Sequence, residues 1–166
     1  MEVTNMAYLF SHMGTAMAIL GAALVVALSC WGSAKGVGIA GEAGAGLLSE
    51  DPSKFGKVLV LQILPGTNGL YGLAIWFVLL GQLGAFGGGI EPLTIYHGLT
   101  LFFACLPMAI NGMLVAVYQG RTSAAAIGVL AKQEADWTKG MILVVIIEFY
   151  AILSLLVSFL TIVNLA

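Results

Sequence analysis

Apolar residues fill four blocks of this chain, at positions 3–34, 58–90, 92–120 and 140–166, with glycine and small polar residues as almost the only interruptions. Each block outlasts the roughly 20 residues that carry a helix across ~30 Å of hydrocarbon. The pattern predicts an all-α integral membrane protein with four transmembrane helices. Sliding the chain against itself by 82 positions brings Ala34 onto Ala116, Gly38 onto Gly120, Gly46 onto Gly128, Lys57 onto Lys139, Leu73 onto Leu155 and Phe77 onto Phe159. Such a self-match is the mark of an internal repeat. It predicts two tandem helical hairpins running in the same direction, residues 1–87 and residues 88–166.

Within each hairpin the two spans differ. The first carries small residues every fourth position: Gly32, Gly36, Ala40 and Gly44 in one hairpin, and Gly112, Ala116, Gly120, Ala124 and Gly128 in the other. Such rows let helix backbones approach closely in lipid, where dispersion replaces the hydrophobic drive. The second spans are bulky, as in VLVLQILPG and MILVVII. A close-packed inner layer under a bulky outer layer, as concentric rings of helices require, fits this contrast, and so does generic pairing within one four-helix bundle.

Composition agrees: of 166 residues 60% are hydrophobic and 8% charged, and mean hydropathy is +1.05. Little soluble mass remains, and no basic patch suits nucleic acid. All six Lys and Arg residues (Lys35, Lys54, Lys57, Arg121, Lys132, Lys139) lie between positions 34 and 57 or 120 and 139. The positive-inside rule therefore puts the first and third connections in the cytoplasm and both termini on the other side. Cys30 and Cys105 read as small core residues, and His12 and His97 as interfacial rather than metal-binding.

Glu148 carries the chemistry. It is the only charged residue from 140 onward, ~13 Å of helix past Lys139 and ~27 Å before the chain's end. An ionisable group inside a span is costly and marks a functional site. If the second hairpin turns near Gln133 and Glu134, Gln119 and Glu148 share one depth. If the first turns near Asp51, Gly66, Thr67 and Asn68 reach the same depth. Thr67, Asn68, Gln119 and Glu148 then form one belt of oxygen atoms, and Pro65 distorts the backbone beside it. Several oxygens suit Na+ by analogy with other hard cations. The same groups suit a protonated Glu148, so both Na+ and H+ stay open.

The segments GSAKGVGIAGEAGAG (32–46), ILPGTNGLYG (63–72), YQGRTSAAAIGVLAK (118–132) and IEFYAIL (147–153) resemble the duplicated proteolipid subunit of V-type rotary ATPases, most closely its Na+-translocating bacterial form. That resemblance implies a homo-oligomeric rotor ring turning against a stationary membrane subunit. It also implies central stalk subunits at the cytoplasmic loops, lipid in the ring lumen and a place in the cell membrane. It puts the carrier carboxylate at Glu148 and Na+ ligands at the Leu64 carbonyl, Thr67, Asn68 and Gln119, with Tyr71 holding the carboxylate. One position departs: the family pattern PGTQGLYG has Gln where this chain has Asn68. Lys35 and Arg121, near site depth, are expected on the lumen side, snorkelling to headgroups; Glu42 is expected to pair with a neighbour or face the cytoplasmic opening. No GxxxxGK[ST] loop occurs, so nucleotide hydrolysis belongs elsewhere, and no organic cofactor is expected. The alternative is a small secondary antiporter using Glu148, which the same-direction repeat suits less well than an inverted one.

Overall fold

Helix breakers are few, and they decide where this chain turns. A computed structural model describes residues 2–165. The expected placement of both chain ends away from the cytoplasm therefore falls partly on Met1 and Ala166, outside the described residues. Among the described residues five α-helices follow one another: α1 (Glu2–Glu50), α2 (Phe55–Ile63), α3 (Thr67–Gln82), α4 (Ile95–Lys132) and α5 (Trp137–Leu165). A single 3-10 turn, Leu64–Gly66, joins α2 to α3, so these two helices make one span. Four stretches are thus long and apolar enough to cross a membrane, and no strand occurs among the described residues.

The two tight turns repeat each other. Asp51 (φ −139°, ψ 87°) and Gln133 (φ −141°, ψ 81°) leave the helical region at equivalent positions. Each is followed by one 3-10 turn, Pro52–Lys54 or Glu134–Asp136. At the first, Asp51 Oδ1 accepts from the Ser53 backbone and hydroxyl, and the Ser53 hydroxyl holds the Asp51 carboxyl below its ordinary value. Lys57, in the first turn of α2, pairs with Glu134 of the second tight turn at 2.5 Å. The wider connection between the hairpins uses Gly84, Gly88 and Gly89 at positive φ, where a Cβ is strained. Thr94 then caps α4 by accepting from the His97 backbone N–H.

Both long helices extend well past the apolar blocks. The 49 residues of α1 span about 74 Å, and α1 ends at Glu50, just before the turn expected near Asp51. Lys35 and Arg121, expected near site depth on the lumen side of the first and third spans, are helical residues. Each lies on an exposed face beside an aromatic ring one turn earlier: Lys35 Nζ is 5.0 Å from the centre of Trp31, and the Arg121 guanidinium 5.7 Å from that of Tyr118. Their long side chains do not break a helix whose small residues face inward.

The broadest contact is α1 on α4; α3 leans on α1, and α5 on α4. Glycine makes the central seam. A Cβ on Gly36 would strike the Ala116 backbone, and one on Gly120 would strike Gly36. The small rows do not stay on this seam over their whole length, which corrects the expectation. Steps of four residues advance 400° and so drift about 40° around the helix. Gly44 has turned away to meet the Val58 side chain, and Gly128 has nothing within 4 Å. Cys105 is in the core as expected, but Cys30 lies on an exposed face. Most of the surface of α5 is apolar and uncovered, with Ile142, Leu143, Ile146, Phe149 and Tyr150 each at least 55% exposed.

Candidate functional site

Pro65 lacks a backbone N–H and cannot continue the α2 hydrogen-bond ladder. The chain responds with the 3-10 turn at Leu64–Gly66, closed by the Thr67 N–H on the Leu64 carbonyl. Ser33 of α1 stitches this turn in place: its hydroxyl donates to the Pro65 carbonyl at 2.9 Å and accepts from the Gly69 N–H at 2.7 Å. No sequence argument singled out Ser33; its signal was a hydroxyl on a glycine-rich helix, one turn before Gly36. The break sets Thr67, Asn68 and Tyr71 on the first turns of α3, facing α4 and α5.

Glu148, half-buried on α5, receives three side chains from two other helices. The Thr67 hydroxyl is 2.7 Å from Oε1 and the Tyr71 hydroxyl 2.5 Å from the same oxygen. Gln119 Nε2 donates to Oε2 at 2.6 Å. Thr67 Oγ1 also lies 2.9 Å from the Leu64 carbonyl; with one hydrogen, it donates to one of these oxygens at a time. The turn at Gln133 makes Gln119 and Glu148 level, as the sequence argument required. The structure thus brings together Leu64, Pro65, Thr67, Tyr71, Gln119 and Glu148.

Asn68 sits differently. Its Nδ2 donates to Gln119 Oε1 at 2.9 Å, and both residues have 0% relative exposure. Its Oδ1 is buried with no hydrogen-bond partner. Asn68 therefore meets Glu148 through Gln119.

A second polar seam, missed by the sequence argument, joins α4 to α1 and α5 nearer the start of α4. Pro107 interrupts the α4 ladder, and the Met108 N–H is taken up by the Ser158 hydroxyl at 3.1 Å. Ser29 donates to the Met108 carbonyl at 3.3 Å, and Asn111 to the Tyr150 carbonyl at 2.8 Å. These partners pin helices that would otherwise hold polar backbone in hydrocarbon. His97 does similar work at the end of the bundle, with Nε2 2.6 Å from the Leu165 carbonyl.

Comparison with known proteins agrees with this architecture. The ATP synthase C-subunit family matches the chain twice, over residues 20–79 and 102–161. The V-type sodium ATPase subunit K of Enterococcus hirae is 42% identical over 151 residues, 91% of this chain and 93% of that protein. The A-type ATP synthase subunit K of Methanocaldococcus jannaschii is 35% identical over 145 residues, 87% of this chain, which spans 61% of that longer protein.

Proposed function

The chain belongs to the ATP synthase C-subunit family, and from that premise we propose that it carries Na+ across the cell membrane on Glu148. It is a non-catalytic, ion-translocating proteolipid of the membrane rotor of a V-type ATPase, and proteins of this kind form a rotor ring. The relatives are named as subunits of an ATPase and an ATP synthase, which favours a rotor over an antiporter.

One observation carries the reading: hydroxyl and amide groups from α3 and α4 converge on the one carboxylate of α5. A charged carboxylate facing lipid is costly, so Glu148 enters lipid only when an ion neutralises it. Beside a stationary polar subunit it releases that ion and stays charged. Rotation and transport are coupled because the empty carboxylate resists leaving that polar surface. Around Na+ the oxygens of Glu148, Thr67, Gln119 and the Leu64 carbonyl replace water, as hard cations require. Tyr71 steadies the carboxylate, and Asn68 acts at the same depth. The name of the Enterococcus relative, a sodium ATPase subunit, supports Na+ over H+.

Residues 1–87 and 88–166 are the two hairpin units in this reading. The turns at Asp51 and Gln133 face the cytoplasm and the central stalk, and both termini face away. Lys35 and Arg121 face lipid in the ring lumen. The test replaces Glu148 by Gln in the assembled ATPase reconstituted into vesicles. ATP-driven Na+ uptake is lost while the ring still assembles, because volume is kept and only the charge cycle is removed. Uptake at the normal rate would overturn the assignment.

A further inference from the structure

Asn68, Gln119 and Glu148 form a directed chain of hydrogen bonds, and its direction limits what the site can do. Asn68 Nδ2 donates to Gln119 Oε1, and Gln119 Nε2 donates to Glu148 Oε2. In this direction Gln119 offers Glu148 an N–H donor and no lone pair. That suits a charged carboxylate. A cation shared between the two residues, or a proton on Glu148 Oε2, needs the Gln119 oxygen turned toward Glu148 instead.

Gln119 cannot turn alone without penalty. Its NH2 would then face the NH2 of Asn68 across the present 2.9 Å contact, donor against donor, with 0% exposure to water on either side. Asn68 holds the remedy in an atom that otherwise has no purpose. Its Oδ1 is buried and unpartnered. If both amides turn over together, Oδ1 accepts from Gln119 Nε2, and Gln119 Oε1 faces Glu148. The pair keeps one mutual hydrogen bond in each arrangement, and the unmatched atom shifts from Oδ1 to Nδ2.

We propose that Asn68 is a positioning residue that turns its amide in concert with Gln119, so that the pair presents donors to a charged Glu148 and an oxygen to a neutralised one. The idea deepens the carrier reading of Glu148 and rests on it. It separates Asn68 from Thr67, whose hydroxyl reaches the carboxylate directly.

The experiment is a double-mutant cycle in membranes holding the assembled rotary ATPase. Asn68→Leu, Gln119→Leu and the double variant are compared for carbodiimide labelling of Glu148 at one fixed pH. Two quantities are read: the labelling rate without Na+, and the Na+ concentration that halves it. Asn68→Ala runs beside Asn68→Leu, and intact rings on a denaturing gel establish assembly. With Gln119 present, loss of Asn68 is expected to change the readings by about tenfold, the scale of one buried polar partner left unmatched. With Gln119 already replaced, the same change is expected to alter them less than about twofold, because a residue acting through another has nothing left to act on. Equal changes in both backgrounds would make Asn68 an independent ligand and overturn the proposal, as would no change in either. The carrier ion is judged separately, from the unmutated ring. If Na+ has no effect there but the labelling rates still show the coupling, the amide pair stands and Na+ falls. If Na+ protects and the changes are additive, Na+ stands and the pair falls.

Discussion

The first and second hairpins share a backbone and divide the chemistry of one site between them. Their turns match at Asp51 and Gln133 to within a few degrees. Where the second hairpin has Glu148 and Gln119, the first has Gly66 and Val37, and these two still face each other: a Cβ on Gly66 would meet Val37 Cγ2 at 3.5 Å. The packing of the pair survives without its polar atoms. Conversely, the 3-10 break and the hydroxyls belong to the first hairpin alone. Pro65, Thr67 and Tyr71 are answered in the second by Ile147, Phe149 and Leu153 on an unbroken α5. The second hairpin supplies the acid and Gln119, and the first supplies the two hydroxyls that reach it, so neither holds the whole cluster.

The sharpest way to break this comparison is to move the acid. Gly66→Glu combined with Glu148→Gln places a carboxylate at the equivalent depth of the first hairpin, opposite Val37, which donates nothing. ATP-driven ion uptake is expected to stay at background. Recovery would mean that the halves are interchangeable. Next in size is the glycine seam. Gly36→Ala forces a methyl into the Ala116 backbone and is expected to cost about 1–3 kcal/mol as overpacking, read as a lower thermal midpoint or loss of rings. Gly128→Ala, with nothing within 4 Å, is the control, and an equal loss there would show that the seam is not where the hairpins are held.

An effect of similar size, confined to the site, is expected at the donors. Thr67→Val removes the hydroxyl 2.7 Å from Glu148 at nearly constant volume. Leaving that partner unmatched costs on the order of 1–3 kcal/mol, or about five- to a hundredfold in the Na+ concentration that protects Glu148. Phe149→Leu, at the repeat-equivalent position, should leave it unchanged. Smallest is Lys57→Ala, which removes the link between the two turns. The ion pair is 36% and 52% exposed on its two sides, and such pairs contribute about 0–1 kcal/mol. A large fall in the thermal midpoint would show that the turns, rather than the buried seam, join the hairpins.

Much of this arrangement was legible in the sequence. The apolar blocks gave four spans, and the turn positions, counted outward, put Gln119 level with Glu148. Periodicity and length suffice for that because a membrane leaves few alternatives to straight helices. What was not legible depended on rotation about the helix axes. The drift of the small rows sent Gly44 to α2 and left Gly128 open, and the same rotation put Cys30 on an exposed face. Depth alone set Asn68 in the belt without showing that its amide meets Gln119 first. Ser33 among glycines and Ser158 among bulky apolar residues were not singled out, because a lone hydroxyl in a span does not say which backbone carbonyl or N–H it serves. Tyr71 entered only through the family resemblance, since a tyrosine in an apolar span also fits plain packing.

Carbodiimide labelling of Glu148 in the unmutated ring, at one fixed pH with Na+ or K+ added, tests the central claim most directly. The reagent attacks a protonated carboxyl, and a cation held among Glu148, Thr67, Gln119 and the Leu64 carbonyl keeps that carboxyl ionised. Added Na+ should suppress labelling, and K+ at the same concentration should suppress it far less. Labelling that ignores both cations and follows pH alone would contradict the account and make this rotor a proton carrier.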